Sequence, residues 1–193
     1  MITADPSVAS LPQEDGETAS LRMTTEVTLD LKPITREGIP AALQKAERYR
    51  LLNDSTAAES ICLDILQVEP DNQLALVTLL LAVTDQFVED SGDAVKRARE
   101  VLPRLADHYK RAYYSGIISE RKAKALLRRG GLGVADVAHD WFRDAMTWYE
   151  KAEAIRPAGN DESILRWNTC ARMLGRYEPK RVAQDEYEPV LGE

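Results

Sequence analysis

The residues of this chain best suited to chemistry are few and scattered. Two histidines are present, His108 and His139. "HDW" (His139–Trp141) sets an imidazole beside a carboxylate, the elements of an acid–base pair. No nucleophile, oxyanion donor or second base stands near it in sequence, so a helix-surface role is expected instead. Cys62 and Cys170 are isolated, without a CxxC or a Cys/His cluster, which argues against a zinc site or a redox pair. Both lie among apolar helical positions, where a buried, reduced thiol is expected. "RRGGLGVAD" (Arg128–Asp136) places arginines and glycines before a helix start, an arrangement able to hold an anion. No strand precedes it and no Lys-Ser/Thr follows, so it is no phosphate-binding loop. A helix C-cap and turn is the expected reading. Trp141, Trp148 and Trp167 suggest a ligand cage, but the seven-residue spacing of the first two places them on an apolar stripe that fills between helices. None of these patterns calls for a cofactor or a metal.

The strongest chemical signal is basic. Arg104–Arg129 holds eight basic and two acidic residues, while the whole chain carries a net charge of −7, so the remainder stands at −13. An acidic chain of this kind is not a general DNA binder. Lys110, Arg111, Arg121, Lys122, Lys124, Arg128 and Arg129, with Tyr113 and Tyr114 nearby, form a candidate face for RNA or another acidic ligand, by phosphate contact and base stacking. No recognised nucleic-acid module accompanies them. The competing reading is a charged outer face that complements acidic neighbours.

The elements that must position these residues are helical. With 193 residues the chain holds one domain and tails. Ala, Leu, Glu, Arg and Lys dominate its middle, which predicts an all-α fold. Residues 1–38 are rich in Ser, Thr, Pro and Glu and are expected to form a largely disordered arm. Within it "EVTLDLKPI" alternates Val27, Leu29 and Leu31 with polar residues, an extended pattern. The start lacks the basic and apolar segments of a secretory leader. "LALVTLLLAV" (Leu74–Val83) is too short to span a bilayer, so no membrane partner and a cytoplasmic location are expected. Seven helices follow from residue 39. The first begins with Pro40 at N1 and the second covers "TAAESICLDILQV". The third runs over 71–86 and the fourth over 92–101. The fifth is long and ends at "GGLG". The sixth carries a stripe at Val134, Val137, Trp141, Ala145, Trp148, Ala152 and Ile155, and the seventh is capped by Asp161 and ends near Gly175. Residues 177–193 form an acidic tail.

The run "AESICLDILQVEPDNQLAL" shows how two of these helices meet. Pro70 forces the second helix to end near Glu69, and Asp71 or Asn72 can cap the next one at once. Residues 39–72 resemble a tetratricopeptide repeat. Ala46, Tyr49, Ala58, Cys62, Ile65 and Pro70 fall on that family's small, aromatic, small, aromatic, small and proline positions. Cys62 and Ile65 depart from its usual residue types there. "AMTWYEKAEAIRP" repeats the ending, with Ala145, Tyr149, Ala152 and Pro157 at the same spacing. The resemblance covers about residues 39–176, most clearly at its two ends. It implies a superhelix of about three antiparallel helix hairpins and a C-terminal capping helix.

The resemblance also implies a function. In that family the first helix of each hairpin lines a concave groove that binds a protein segment. Here Leu43, Glu47 and Leu51 from the first unit, and Leu74, Val77 and Leu81 from the second, would line it. Leu43 and Glu47 stand where chaperone-binding members carry Lys and Asn, so a carboxylate clamp on a chaperone tail is not expected. An apolar groove is expected instead, filled by a partner peptide, by the chain's own arm at Val27–Leu31 or by the long later helices. The function anticipated from sequence is thus a non-catalytic adaptor, scaffold or assembly factor that binds protein.

Overall fold

In the computed structural model, residues 30–89 and 93–177 are described. They form seven α-helices: α1 (Ile39–Leu51), α2 (Ser55–Val68), α3 (Gln73–Asp85), α4 (Asp93–Val101), α5 (His108–Arg129), α6 (Val134–Glu153) and α7 (Glu162–Tyr177). No strand occurs among the described residues. The fold is all-α and helical-repeat-like: each helix packs on the next, most extensively α5 on α6. Val27 and Leu29 of the N-terminal arm, and the tail beyond Tyr177, lie outside the described residues. The helical body begins slightly before Ile39. Thr35 caps a single 3-10 turn (Arg36–Gly38), and Ile34 packs on the core.

Local chemistry sets the helix boundaries. After α2, Asn72 caps α3 by accepting the Ala75 amide at 3.0 Å, and its own amide group donates to Glu69 at 2.9 Å. Arg104 donates to the Pro70 carbonyl at 2.7 Å, and Gln73 accepts from the Ala106 amide at 2.8 Å. The turn after α2 is therefore fixed to the turn before α5. Asp54 and Asp107 cap α2 and α5. The first amide of α7 bonds Asn160 rather than Asp161, whose carboxylate faces Arg156 instead. Pro103 starts a 3-10 turn (Leu102–Arg104), not a new α-helix. The glycines of "GGLG" close α5 and open α6, with Gly130 and Gly133 both at positive φ.

Ion pairs between helices run along alternate helices, while hydrogen bonds such as Ser119–Asp144 and Trp167–Glu150 join neighbours. Arg50 of α1 bonds Asp85 of α3, Asp85 also pairs with Arg121 of α5, and Glu120 of α5 pairs with Arg166 of α7. One chain of charges thus links α1, α3, α5 and α7. The remaining helices have their own links: Glu59 of α2 pairs with Arg97 of α4, and Arg99 of α4 stacks over Trp141 of α6 at 5.3 Å. The apolar core follows the hairpins. Cys62, Ile65, Leu76, Leu80 and Val83 centre one cluster on α1–α4, while Phe142, Ala145, Tyr149 and Cys170 centre another on α5–α7. Leu81 and Tyr114 pack against both.

The repeat positions Ala46, Ala58, Cys62, Ile65, Ala145, Tyr149 and Ala152 are fully buried, whereas Tyr49, the expected aromatic of the first helix, is only half-buried. The expected stripe on α6 is rotated by one residue. Its inward row is Ala138, Phe142, Ala145, Tyr149 and Ala152, whereas Val137 is half exposed and Ile155 lies past the helix end. The tryptophans sit at the edge of this row, half-buried, with Lys151 over Trp148 at 4.0 Å. Small residues win the central positions because α6 is pressed between α5 and α7 and must let both approach. Gly116 of α5 marks the tightest point: a Cβ there would lie 2.5 Å from the Tyr149 ring. Replacing Gly116 with Ala should cost about 1–3 kcal/mol through overpacking. Gly175→Ala, where a Cβ meets nothing within 4 Å, should be neutral or stabilise by up to about 1 kcal/mol. Urea midpoints for the two variants check this, and equal midpoints would mean that α5 and α6 are not in close contact at Gly116.

Candidate functional site

The six expected groove residues do not form one apolar strip. Arg50 and Asp85 pair at the C-terminal ends of α1 and α3, so these helices run in the same direction. Leu51 therefore lies at the Asp85 end, and Leu74 eleven residues away, roughly 16 Å along α3. These two leucines are 85% and 63% exposed. Leu43, Val77 and Leu81 between them are half-buried against the core, and Glu47 is exposed. Leu81 is covered by the later helices, because the second core cluster packs on it.

Next to Leu81 the structure brings three of the expected basic residues, Arg121, Lys124 and Arg128, together with residues that the sequence did not single out. Thr84, Asp85, Phe87 and Val88 at the end of α3, Glu120, Arg121, Lys124 and Arg128 on α5, and Arg166 on α7 line a cavity of about 270 Å³. Its lining carries four cationic side chains and two carboxylates, Asp85 and Glu120. At its floor is Glu120, whose side chain is fully buried. Its Oε1 accepts from Lys124 and from Arg166 (3.2 Å), and its Oε2 accepts from the Tyr149 hydroxyl at 2.7 Å. A buried carboxylate needs this saturation, since an unpaired charge away from water is very costly. Burial and then the Glu120 charge push the Tyr149 phenol well above its ordinary range, which keeps it a neutral donor. Burial lowers the Arg166 pKa, but Glu120 and Tyr113 outweigh it and hold the guanidinium charged. Arg121 is drawn down by burial, opposed by Asp85.

The basic segment is largely used inside the molecule. Arg121 donates to the Leu81 carbonyl (3.1 Å) and to Thr84 (2.7 Å), and pairs with Asp85. Arg129 donates to the carbonyls of Phe87 and Val88 at 3.0 and 2.7 Å. Arg111 bonds His108 at 3.0 Å, and Lys124 is on Glu120. Lys110 and Lys122 are half-buried. Arg128 is exposed and makes no hydrogen bond or ion pair among the described residues. Arg121, Lys124 and Arg128 line one cavity, while Arg111 and Arg129 are engaged elsewhere. Tyr113 and Tyr114, the expected stacking platform, pack on each other edge to face at 5.2 Å, and Tyr113 also meets Tyr149 at 5.9 Å.

The other candidates are plain surface or core features. His139 and Asp140 lie 3.7 Å apart on an exposed helix surface. Trp167 donates to Glu150 at 2.9 Å. Cys62 and Cys170 are free and buried. Among the described residues no cluster of side chains could hold a metal ion, and no helix is long and apolar enough to cross a membrane. Comparison with protein-family models, curated proteins and solved structures finds no match to this chain.

Two predictions follow from the buried groups. Tyr149→Phe removes one donor from the Glu120 carboxylate and should cost about 1–3 kcal/mol of unfolding free energy, read by denaturant titration at neutral pH. An unchanged midpoint would mean that Glu120 is satisfied without it. Burial also pushes the thiols of Cys62 and Cys170 up to about 12 from 9.0. Folded-state values above the unfolded ones give stability that is complete below pH 9 and lost as pH rises towards 12. Stability should therefore fall above pH 9. Replacing both cysteines with Ala should flatten that fall, even though the variant starts lower at pH 7. An equal alkaline slope in both proteins would count against buried thiols as the cause.

Proposed function

We propose that the chain is a tetratricopeptide-like, non-catalytic module that works in the cytoplasm and binds a protein segment on the face formed by α1, α3, α5 and α7. The observation that carries this reading is the composition of that face. Exposed Leu51 and Leu74 stand at its two ends, and a cationic cavity opens beside Leu81. Apolar anchors next to an oriented charged cavity suit a peptide side chain at each place, as in grooves that read extended or helical segments. The repeat register supports the family reading. Ala58, Cys62 and Ile65 before Pro70, and Ala145, Tyr149 and Ala152 before Pro157, are buried at matching steps. Binding of RNA through Arg104–Arg129 is the weaker reading, since most of its cations and both tyrosines are engaged internally.

A displayed peptide library tests this reading. Enriched peptides should bind the wild-type chain, and Leu74→Asp and Arg128→Glu should each weaken them by about tenfold, the loss of one good contact. Both positions are exposed, so the variants should keep the wild-type circular dichroism. Failure to enrich any peptide, together with retardation of single-stranded RNA at roughly 50 mM salt, would replace this reading with the nucleic-acid one.

A further inference from the structure

The cavity between α3, α5 and α7 has an unusual balance. Arg121, Lys124, Arg128 and Arg166 face only two carboxylates, Asp85 and Glu120, within it. Glu120 is saturated by its three partners, and Asp85 is shared between Arg50 and Arg121. The lining therefore carries two positive charges more than it neutralises, and Arg128 is the cation left without an ion pair among the described residues. A site of this size and sign takes an anionic oxygen group, most simply a carboxylate, which arginine can grip through two parallel N–H bonds.

The chain itself supplies such groups close by. α7 carries Arg166 into the cavity, and its later Met173 lines a neighbouring recess with Lys124 and Arg128. The sequence that follows Tyr177, "EPKRVAQDEYEPVLGE", holds five acidic and two basic residues. Three of its acids, Asp185, Glu186 and Glu188, fall within four positions. From Tyr177 back to Arg166 is about 16 Å along the helix. From Tyr177 to Asp185 an extended chain reaches about 26 Å. The acidic triplet is therefore within reach of the cavity on the same molecule.

We infer that the cavity lined by Arg121, Lys124, Arg128 and Arg166 is a carboxylate-accepting site, and that its resident occupant is this chain's own Asp185–Glu188 segment. The inference rests on the recognition face proposed above and adds its regulation: an incoming acidic segment must displace the chain's own. Arg128, the unpaired cation at the mouth, is the residue on which capture depends most.

The test uses the full chain and a labelled synthetic peptide of residues 178–193, followed by fluorescence anisotropy. The probe should bind weakly to the wild-type chain. It should bind about tenfold more tightly to a chain carrying Asp185→Asn, Glu186→Gln and Glu188→Gln, as expected if the resident segment leaves the site free a tenth of the time. Added salt should weaken this binding, and Arg128→Glu in the neutralised chain should abolish it. In the wild-type chain a zero-length carbodiimide should join Lys124 to Asp185, Glu186 or Glu188, with a yield independent of chain concentration. Equal probe binding by wild-type and neutralised chains would overturn the resident occupant. Absence of binding to the neutralised chain would overturn the carboxylate site. Neither result depends on a foreign partner, so the outcome of the peptide-library screen is judged separately.

Discussion

The buried carboxylate of Glu120 is the constraint around which the second half of the molecule is arranged. It sits where α5, α6 and α7 converge and takes one donor from each: Lys124 on its own helix, Tyr149 from α6 and Arg166 from α7. Taking an ionised carboxylate out of water costs several kcal/mol, and good geometry with all partners present is needed to offset it. A shift of one helical turn by either neighbour would leave the charge unpaired. The same Tyr149 is also fixed by Gly116, whose missing side chain makes room for its ring. Charge and close approach thus select the same alignment of α5 and α6, and the net energetic contribution of the ion pairs need not be large for them to do so.

The first half solves the same problem with apolar contact. α3 is buried nearly all round, from Ala75 to Thr84, because α1, α2 and α4 all pack on it. Its exit from the core is where the two halves meet. Arg121 and Arg129 of α5 take up carbonyls at the end of α3, while Asp85 joins Arg50 to Arg121. Exposed helix C-termini carry unsatisfied carbonyls and a partial negative charge, and two guanidinium groups are a suitable complement. The basic run of α5 is therefore read best as the seam between halves. Its acidic counterpart is the end of one helix rather than a separate ligand, with Arg128 the exception.

The helices were legible in the sequence because their limits depend on local chemistry. Pro70, Asn72, Asp54 and the "GGLG" glycines act within one turn, and the observed boundaries lie within three residues of those expected, the widest misses being the start of α5 and the end of α6. The repeat positions were legible for the same reason: small residues at fixed steps before a proline describe a single hairpin. What could not be read was the direction of long side chains. Trp141 and Trp148 have the same spacing as a core row, and only the presence of α7 on the other flank decides that Ala138, Phe142 and Tyr149 occupy it. Arg121, Lys124 and Arg128 stood out as part of the basic run, but Arg166 lies as many as 45 residues from them, so no pattern in the chain joins it to their cavity. Glu120, one of two acids in the basic run, reads in sequence like any exposed i,i+4 partner of Lys124.

The position of the cavity also explains why the groove is not the apolar strip that the leucines of α1 and α3 suggest. Leu43, Val77 and Leu81 are needed by the core, since a body of seven short helices has little apolar surface to spare. α5, at 22 residues, is the longest helix and reaches across to the end of α3. Its contact with Leu81 removes the middle of the strip, and the charges that anchor it create the cavity at the strip's edge. If this face binds a protein segment as proposed, it selects its ligand differently from an apolar groove. Leu51 and Leu74 are too far apart to be covered by one side chain, so apolar contact alone gives little register along the face. Orientation must come from the cavity, whose cations are held in place by Glu120 and Asp85 before any ligand arrives. Preorganised cations lose little side-chain entropy on binding, which makes the cavity, and not the leucines, the part of this face best able to discriminate.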